Sequence, residues 1–272
     1  GLPTPSSSSF AHDPEIKREA IWHGDKWRPQ ASLADRKAGL VRVRQDKSWT
    51  TISEHLALYD SMLTETVDPN LAPEVLLLRD RIRSWRFYDS FRTDEFAPAR
   101  QAQIGTRTPV LFHDGRDLAA ALQTIIEIGD QEALARGVDA AFPGAELWVE
   151  QDNGRFNVAF KQHGLLRPLS QAELSDGTLR YLLLMAALLT PRPPELMVLN
   201  EPETSLHPEL VPALADLIVS QSKHSQVWVV SHSDVLTDLL ESEGASLIRL
   251  DKELGDTQIE GQGLLNTPVW NW

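Results

Sequence analysis

The chain has 272 residues, no cysteine, and 26 Lys and Arg against 39 Asp and Glu, which gives a net charge of −13 at pH 7. A chain of this length forms one large domain or two modest ones with an ordinary hydrophobic core. The absence of cysteine excludes disulfide bonds and thiolate metal sites. The acidic balance disfavours non-specific attraction to nucleic acid.

The N-terminal segment GLPTPSSSSF is rich in Ser and Pro, and we interpret residues 1–17 as a flexible arm. The sequence contains neither an apolar run of membrane-spanning length nor a recognisable signal peptide. We therefore expect a cytoplasmic location and no membrane partner.

Residues 18–145 mix short alternating segments with helical ones, and we interpret them as the remainder of a first lobe plus a helical region. EAIWHGDKW and LVRVRQ have the pattern of strands or of a hairpin. Apolar residues at helical spacing predict helices in HLALYDSML, PEVLLLRDRIRSWRFYDSF, DLAAALQTIIEIG and DQEALARGVDAAF.

A basic segment and several tryptophans of this chain could serve either the fold or a nucleic-acid surface. LRDRIRSWRF places four arginines close together, which is more typical of a solvated helix face. We interpret Trp22, Trp27, Trp85 and Trp228 as core or helix-packing anchors rather than as platforms for stacked bases.

Residues 146–272 begin with LWVEQ and RFNVAFK, which predict antiparallel strands joined by a hairpin turn at Asp152-Asn153-Gly154. After Leu174, helices and strands alternate, which is typical of a parallel sheet covered by helices. The predicted helices are TLRYLLLMAALL, PELVPALADLIVSQS and DVLTDLLES, the predicted strands are ELMVLN, QVWVVS and SLIRL, and ELGDTQIEGQ is a predicted edge hairpin. The sequence therefore predicts an α/β fold with a parallel sheet core, a helical insertion and small antiparallel strands.

Two of the predicted buried strands end in residues that can act on a bound ligand. Residues 196–199 run into Asn200 and Glu201, and residues 227–230 lead to His232. Open α/β sheets bind ligands at the carboxyl ends of their strands, where an acidic residue can meet a metal-bound phosphate and its attacking water. In isolation, the first strand end is equally compatible with an ordinary buried strand followed by a helix cap, and a lone histidine after the second strand is more often a structural residue than a catalytic one.

Two further segments complete the pattern. Ser175, within residues 174–178, is a good N-cap for the apolar helix that follows, and exposed amides at a helix start suit an anion. Ser205-Leu206-His207-Pro208 forms a turn that begins the next helix. Alone, the first is a simple cap and the second is uninformative, but the four segments in this order form a strong joint signal.

The segments LSDGTLRYLLL, LMVLNEPETSLHP and VWVVSHS resemble the C-terminal lobe of the ABC/SMC/RecF-like ATPases. From about Arg36 onward, the chain is similar to the predicted bacterial AAA-type ATPases of the RecF-like branch. The resemblance implies a P-loop NTPase fold and an Mg²⁺-dependent ATPase that dimerises head-to-tail around two ATP molecules. It implies DNA repair or defence against phage as the setting, with double-stranded DNA or a partner nuclease as the target. The alternative is a nucleotide-gated scaffold that does not hydrolyse ATP.

The resemblance also implies roles for individual residues. Glu201 would be the catalytic carboxylate that orients or deprotonates water, and His232 would be the switch histidine at the γ-phosphate of ATP. Asn200 would occupy a metal-ligand position, and Gln101 and Gln103 are candidates for the Q-loop. The residues implied to contact nucleotide across the dimer interface are Ser175, Asp176, Gly177 and Thr178 of the signature loop and Ser205 and His207 of the D-loop.

Three departures from the family pattern modify these expectations. No phosphate loop of the form G-x-x-x-x-G-K-[ST] occurs in the 272 residues. We therefore interpret the chain as the C-terminal portion of a longer ATPase, inactive by itself, with a degenerate ATPase as the other interpretation. Asn200 stands where Asp is usual, so Mg²⁺ support should weaken unless Glu201 or Glu203 compensates. Asp176 stands where Gly is usual, so its carboxylate should point away from the nucleotide.

Overall fold

The computed structural model describes residues 13–65, 68–253 and 256–260. The chain divides after Trp85 into two compact units, each with its own hydrophobic core. Residues 1–12 of the predicted arm lie outside the described residues. The predicted boundaries after residues 17 and 145 stay predictions. Within the described ranges, no helix is long and apolar enough to cross a membrane.

The first unit consists of an antiparallel sheet and two helices. Its elements are β1 (Arg18–Trp22), β2 (Ser32–Lys37), β3 (Leu40–Gln45), β4 (Ser48–Ser53), α1 (Met62–Glu65) and α2 (Pro73–Ser84). The strands pair in the order β1-β2-β3-β4. Val41 and Val43 alternate with Arg42 and Arg44 along β3, so the valines share one face and pack with Val75 of α2.

Arg36 is fully buried in the first unit and forms an ion pair of 2.8 Å with Glu19. Its guanidinium also donates to three backbone carbonyls, those of Ala38, Ala57 and Asp60. Glu19 in turn accepts hydrogen bonds from the Ser61 hydroxyl and the Met62 amide. The carboxylate holds the amide of Met62 where α1 starts. The helix predicted over HLALYDSML, residues 55–63, was wrong for most of its length, since α1 begins only at Met62.

The second unit contains the remaining helices and strands. They are β5 (Arg86–Tyr88), β6 (Gln103–Ile104), α3 (Leu118–Ile128), α4 (Gln131–Ala141), β7 (Glu146–Asp152), β8 (Arg155–Lys161), β9 (Leu169–Ser170), α5 (Asp176–Leu188), β10 (Leu196–Asn200), α6 (Val211–Ser222), β11 (Gln226–Val230), α7 (Asp234–Ser242), β12 (Leu250–Glu253) and β13 (Asp256–Ile259). Helix α5 is the centre of the core: residues 178–188 are all buried, and the helix packs against α3 and α6.

A parallel sheet with the order β11-β10-β5 carries the candidate site. Leu199 of β10 lies opposite Val229 on one side and Tyr88 on the other, and all three strands run in the same direction. The α/β fold and the strands predicted from ELMVLN and QVWVVS are confirmed. Their carboxyl ends meet at one edge, as the sequence predicts.

The third strand of this sheet was predicted wrongly. It is β5, which the sequence assigned to the end of a helix. That helix, α2, stops at Ser84, and Trp85 takes an extended backbone that leads into the strand. Tyr88 is buried and its hydroxyl donates to the carbonyl of Leu111 at 3.0 Å, which stabilises the strand. SLIRL is not part of the parallel sheet, since Leu250 instead pairs with Ile259 in the predicted C-terminal hairpin of β12 and β13.

The predicted hairpin of β7 and β8 is also confirmed. Its turn places Asn153 at φ 47° and Gly154 at φ 76°, the left-handed conformations that an Asn-Gly turn favours. Strands β6 and β9 pair with β8 and complete a second, antiparallel sheet in this unit.

Candidate functional site

The carboxyl edge of the parallel sheet brings together polar residues from three strand ends. Asp89 follows β5, Asn200 and Glu201 lie at the end of β10, and His232 follows β11. Neighbouring parallel strands bring residues that are far apart in sequence to one edge, which is the usual ligand-binding position in such sheets.

Glu201 and His232 are neighbours at this edge. The Nε2 atom of His232 lies 3.5 Å from Oε1 of Glu201. The side chain of His232 is 84% exposed and that of Glu201 is 43% exposed. A base and a hydrogen-bond donor are therefore available to a ligand within one hydrogen-bonding distance of each other. This proximity is the geometry that the sequence predicted for these two residues.

The backbone of Glu201 is held in an uncommon conformation. Its φ is 44°, the left-handed region that costs about 1–3 kcal/mol for a non-glycine residue and that occurs often at functional sites. Three hydrogen bonds hold it: its amide donates to the carbonyl of Val230 at 2.8 Å, and its carbonyl accepts from NH2 of Arg180 at 2.9 Å and from the amide of Thr204 at 3.1 Å. These contacts fix the backbone at the end of the strand.

Arg180 lies in α5 and is 6% exposed, so a helix of the core reaches the edge of the sheet. Burial lowers the pKa of Arg180, while the charges of Glu203 and Glu201 act in the opposite direction. Its Nε atom and Oε2 of Glu203 are both buried without a hydrogen-bond partner within the described part of the chain. The arginine therefore interacts with the two carboxylates through charge and with the backbone carbonyl of Glu201 through a hydrogen bond.

Glu203 supports the turn that carries His232. Its Oε1 atom accepts from the hydroxyl of Ser231 at 2.6 Å and from the amide of His232 at 3.1 Å. The same hydroxyl accepts from the amide of Ser233, where α7 begins. These bonds engage one carboxylate oxygen of Glu203 and fix the loop that carries the histidine.

Asp89 is the carboxylate beside Asn200, and sequence reasoning missed it. The Nδ2 atom of Asn200 donates to Oδ1 of Asp89 at 2.8 Å. Asp89 was included in a predicted helix, although the aromatic pair Phe87-Tyr88 before it is a signal for a short strand. The amide oxygen of Asn200 and the carboxylate of Asp89 are oxygen donors, the type of ligand that Mg²⁺ prefers.

The signature segment forms the start of α5. Ser175 is its N-cap and accepts from the amide of Thr178 at 3.1 Å, as predicted. The carboxylate of Asp176 lies 2.7 Å from NH2 of Arg100. Arg100 also donates to the carbonyl of Leu174 at 2.7 Å. An arginine thus offsets the charge of Asp176 at the helix start and fixes the loop before it.

The signature and D-loop segments touch each other in this chain. A Cβ atom on Gly177 would lie 2.9 Å from the carbonyl oxygen of Ser205, so only glycine fits at this position without a shift. Ser205 itself has a left-handed φ of 66°. His207 is exposed, and its Nδ1 accepts from the amide of Glu209 at 3.4 Å.

The two Q-loop candidates do not lie at the edge of the parallel sheet. Gln103 pairs with Phe156 in the antiparallel sheet. The carbonyl of Gln101 accepts from the side chain of Gln171 at 2.5 Å. Neither directly follows a strand of the parallel sheet.

Among the described residues, no group of three or more His, Asp or Glu side chains could hold a metal ion. Mg²⁺ in nucleotide sites is commonly held by one or two protein groups plus phosphates and water. The oxygen atoms of Asp89 and Asn200 fit that requirement.

The mixed α/β fold places these polar residues at the carboxyl edge of a parallel sheet, the position where such folds bind ligands. The chain belongs to the family described as "AAA domain, putative AbiEii toxin, Type IV TA system", which matches residues 26–238. No curated protein matches the sequence.

Solved structures of SMC heads are similar to the chain at low sequence identity. An SMC head bound to the C-winged helix domain of ScpA is 15% identical with a TM-score of 0.45, and the match covers 88% of this chain and 70% of that one. The SMC head domain from Thermotoga maritima is 14% identical with a TM-score of 0.39, covering 89% and 72%. A structure from work on ATP-driven dimerization and DNA-stimulated activation of SMC ATPases is 20% identical with a TM-score of 0.38, covering 50% and 86%.

Proposed function

We propose that this chain supplies the hydrolytic edge and the signature surface of an Mg²⁺-dependent ATPase, in a protein that also contains a phosphate loop. The observation that carries the proposal is the 3.5 Å approach of Glu201 and His232 at the carboxyl edge of the parallel sheet. Both side chains are accessible, so a nucleotide and a water molecule can reach them.

In this proposal Glu201 and His232 divide the chemistry. The carboxylate of Glu201 orients the attacking water and accepts its proton, and Nε2 of His232 donates to an oxygen of the γ-phosphate. Arg180 holds the backbone of Glu201, and Glu203 holds the amide of His232. Phosphoryl transfer depends mainly on positioning and charge neutralisation, and these fixed contacts provide positioning.

The metal position in this proposal consists of Asn200 and Asp89. When bound, Mg²⁺ neutralises charge on the phosphates. Asp89 supplies the negative charge that Asn200 lacks, through the pair that their 2.8 Å hydrogen bond forms. The loss of Mg²⁺ affinity expected from an asparagine at position 200 is thereby reduced.

The signature surface acts on the nucleotide of a second protomer in this proposal. Ser175 and Gly177 approach the γ-phosphate in a head-to-tail dimer, with Asp176 and Thr178 flanking them, and the Arg100 contact keeps the Asp176 carboxylate neutralised. Ser205 and His207 cross the same interface. DNA repair or genome defence, with double-stranded DNA or a partner nuclease as target, is the proposed setting, in the cytoplasm.

A second candidate is a nucleotide-gated scaffold that binds but does not hydrolyse ATP. The observation that favours it is the absence of a G-x-x-x-x-G-K-[ST] segment from the 272 residues, since that loop normally supplies the main phosphate contacts. Asn200 in place of a carboxylate points in the same direction.

The two candidates are separated by steady-state ATP turnover of the intact gene product. Glu201→Gln is expected to lower turnover by a factor of about 10²–10⁴, the usual contribution of a general base. ATP-dependent dimers should accumulate in this variant, as measured by light scattering. Glu241→Gln, on the exposed surface of α7, is the matched control and should turn over ATP like the wild type.

Unchanged turnover in Glu201→Gln would remove this residue from the chemistry. A wild-type protein that dimerises with ATP but shows no turnover would support the scaffold instead. For the chain of 272 residues alone, we expect no turnover, because the phosphate loop is missing from it.

A further inference from the structure

The sheet of the first unit has one face that packs on helices and another that carries cations and indole rings. Arg18 of β1 lies opposite Lys37 of β2, and Arg44 of β3 lies opposite Trp49 of β4. Alternation along β3 puts Arg42 on the same side as Arg44. We call this side, formed by Arg18, Lys37, Arg42, Arg44, Trp27 and Trp49, the cationic face.

The two indole rings lie against guanidinium groups of this face. The Cζ atom of Arg18 is 4.8 Å from the ring centre of Trp27, and those of Arg42 and Arg44 are 5.4 Å and 5.9 Å from the ring centre of Trp49. Trp27 is 42% exposed and Trp49 is 38% exposed. Since indoles of this size are normally buried, two half-exposed rings beside arginines are unusual on a surface.

The interpretation of the tryptophans as core anchors was therefore wrong for three of them. Trp22, Trp27 and Trp228 are 41%, 42% and 57% exposed. Trp27 lies in the loop between β1 and β2, where its ring lies against Arg18. Composition alone does not distinguish such a position from a buried one.

The cationic face differs in charge from the rest of the chain. Residues 17–53 contain nine Lys and Arg against four Asp and Glu, a net charge of +5, whereas the whole chain carries −13. Asp35 is the acidic residue between the arginines, 3.3 Å from Arg18 and 2.9 Å from Arg42. Asp35 is 8% exposed, so it fixes the two arginines without presenting a negative surface.

We propose that the cationic face binds single-stranded nucleic acid. Its arginines and Lys37 contact the phosphates, and unpaired bases stack on Trp27 and Trp49. Sheets that bind single strands combine these two features, a positive surface for the backbone and aromatic rings for the bases. A duplex hides its base faces and satisfies only the phosphate contacts. The proposal concerns the first unit alone and does not depend on ATP hydrolysis.

The test is fluorescence anisotropy of the 272-residue chain with labelled dT20, rU20 and a 20-base-pair duplex. We expect dissociation constants of about 1–100 µM for at least one single strand at physiological salt, in the range of sequence-independent binding. The duplex should bind several-fold more weakly. The proposed phosphate and base contacts are common to dT20 and rU20. A difference in affinity between these two strands would therefore identify the natural class of strand.

Two substitutions separate stacking from charge. Trp49→Ala should weaken dT20 binding by about fivefold or more, the lower end for one stacked base, while Trp49→Phe should retain most of the affinity. Lys37→Gln should reduce the slope of log K against log salt by about 0.7, the value for one phosphate contact with a single strand. Trp228→Ala and Arg136→Gln remove an exposed indole and an exposed guanidinium elsewhere, and both should bind like the wild type.

Three results would overturn the proposal. The first is no saturable binding of either single strand at about 200 µM protein and low salt, where charge-driven binding is strongest. The second is equal affinity for the duplex and the single strands. The third is that each of the two single variants, Trp49→Ala and Lys37→Gln, binds with wild-type affinity while circular dichroism shows that both are folded.

Discussion

The amide of Asn200 donates to the carboxylate of Asp89 across 2.8 Å, although the two residues lie 111 positions apart in the chain. Strands β5 and β10 are parallel neighbours, so their carboxyl ends coincide. An acidic residue at position 200 would face Asp89 as a like charge, and asparagine replaces that repulsion with a hydrogen bond. The pair therefore carries one negative charge at the edge, that of Asp89.

Removing the charge of Asp89 should weaken the response to Mg²⁺. In the intact protein, Asp89→Asn is expected to raise the Mg²⁺ concentration for half-maximal ATP turnover by about 10- to 100-fold, as for groups that support metal ligands. A magnesium titration at fixed ATP measures this. Asp238→Asn, on the exposed surface of α7, should leave the titration unchanged. An unaltered requirement in Asp89→Asn would show that the pair has no role in metal binding.

Arg180 should matter for stability as well as for the position of Glu201. Arg180→Met removes the 2.9 Å bond to the carbonyl of Glu201, and we expect a loss of about 1.5–3 kcal/mol in the free energy of unfolding, the value for a hydrogen bond to a charged group. Urea denaturation of the 272-residue chain measures it. Arg136→Met, at an exposed position of α4, should stay within about 0.5 kcal/mol. If both variants unfold alike, the bond does not stabilise the edge.

The sequence predicted the parts of the site that follow strong local patterns. A short run of apolar residues marks strand β10, and a serine before an apolar helix marks the cap at Ser175. Contacts with the rest of the chain do not change either element. Asp89 was missed because β5 has three residues and directly follows a helix, so its strand character depends on pairing with β10. Arg180 and Arg100 were missed for a related reason. Their contacts join residues 21 and 76 positions away, which local periodicity cannot indicate.

Replacing Gly177 by alanine should destabilise the chain, although the residue lies in a helix. A Cβ atom there would meet the carbonyl oxygen of Ser205 at 2.9 Å, and backbone cannot yield easily. Gly177→Ala should therefore destabilise the chain by about 1–3 kcal/mol, the usual cost of overpacking. Gly137→Ala is the matched control, since its new Cβ would meet the flexible side chain of Met185 at 3.0 Å. Better helix propensity offsets that contact, and the control should stay within about 1 kcal/mol of the wild type.

Thermal unfolding of the two alanine variants at one pH distinguishes them. A melting temperature of Gly177→Ala equal to that of Gly137→Ala would mean that the D-loop backbone moves freely away from the signature. In that case the close approach of Gly177 and Ser205 would not constrain either loop.

The ion pair of Arg36 and Glu19 should make the first unit sensitive to acid. Burial alone raises the pKa of Glu19, but hydrogen bonds from Ser61, Arg36 and Met62, together with the charge of Arg36, outweigh it and lower the pKa below the ordinary 4.5. A carboxylate with a lowered pKa contributes stability that is complete above its unfolded value and is lost as the pH falls through its folded value. Stability should therefore decrease as the pH drops below about 4.5.

Glu19→Gln tests this assignment. It leaves the fully buried guanidinium of Arg36 without its counter-charge, and breaking such a pair costs about 3–5 kcal/mol. At neutral pH the variant should be much less stable than the wild type, and the difference should shrink as the pH falls below about 4.5, because the wild type then progressively loses the stabilisation that ionised Glu19 provides. Glu15→Gln, at a neighbouring position, should follow the wild-type pH profile. A difference between Glu19→Gln and the wild type that stays constant from pH 7 to pH 3 would assign the acid sensitivity to other carboxylates.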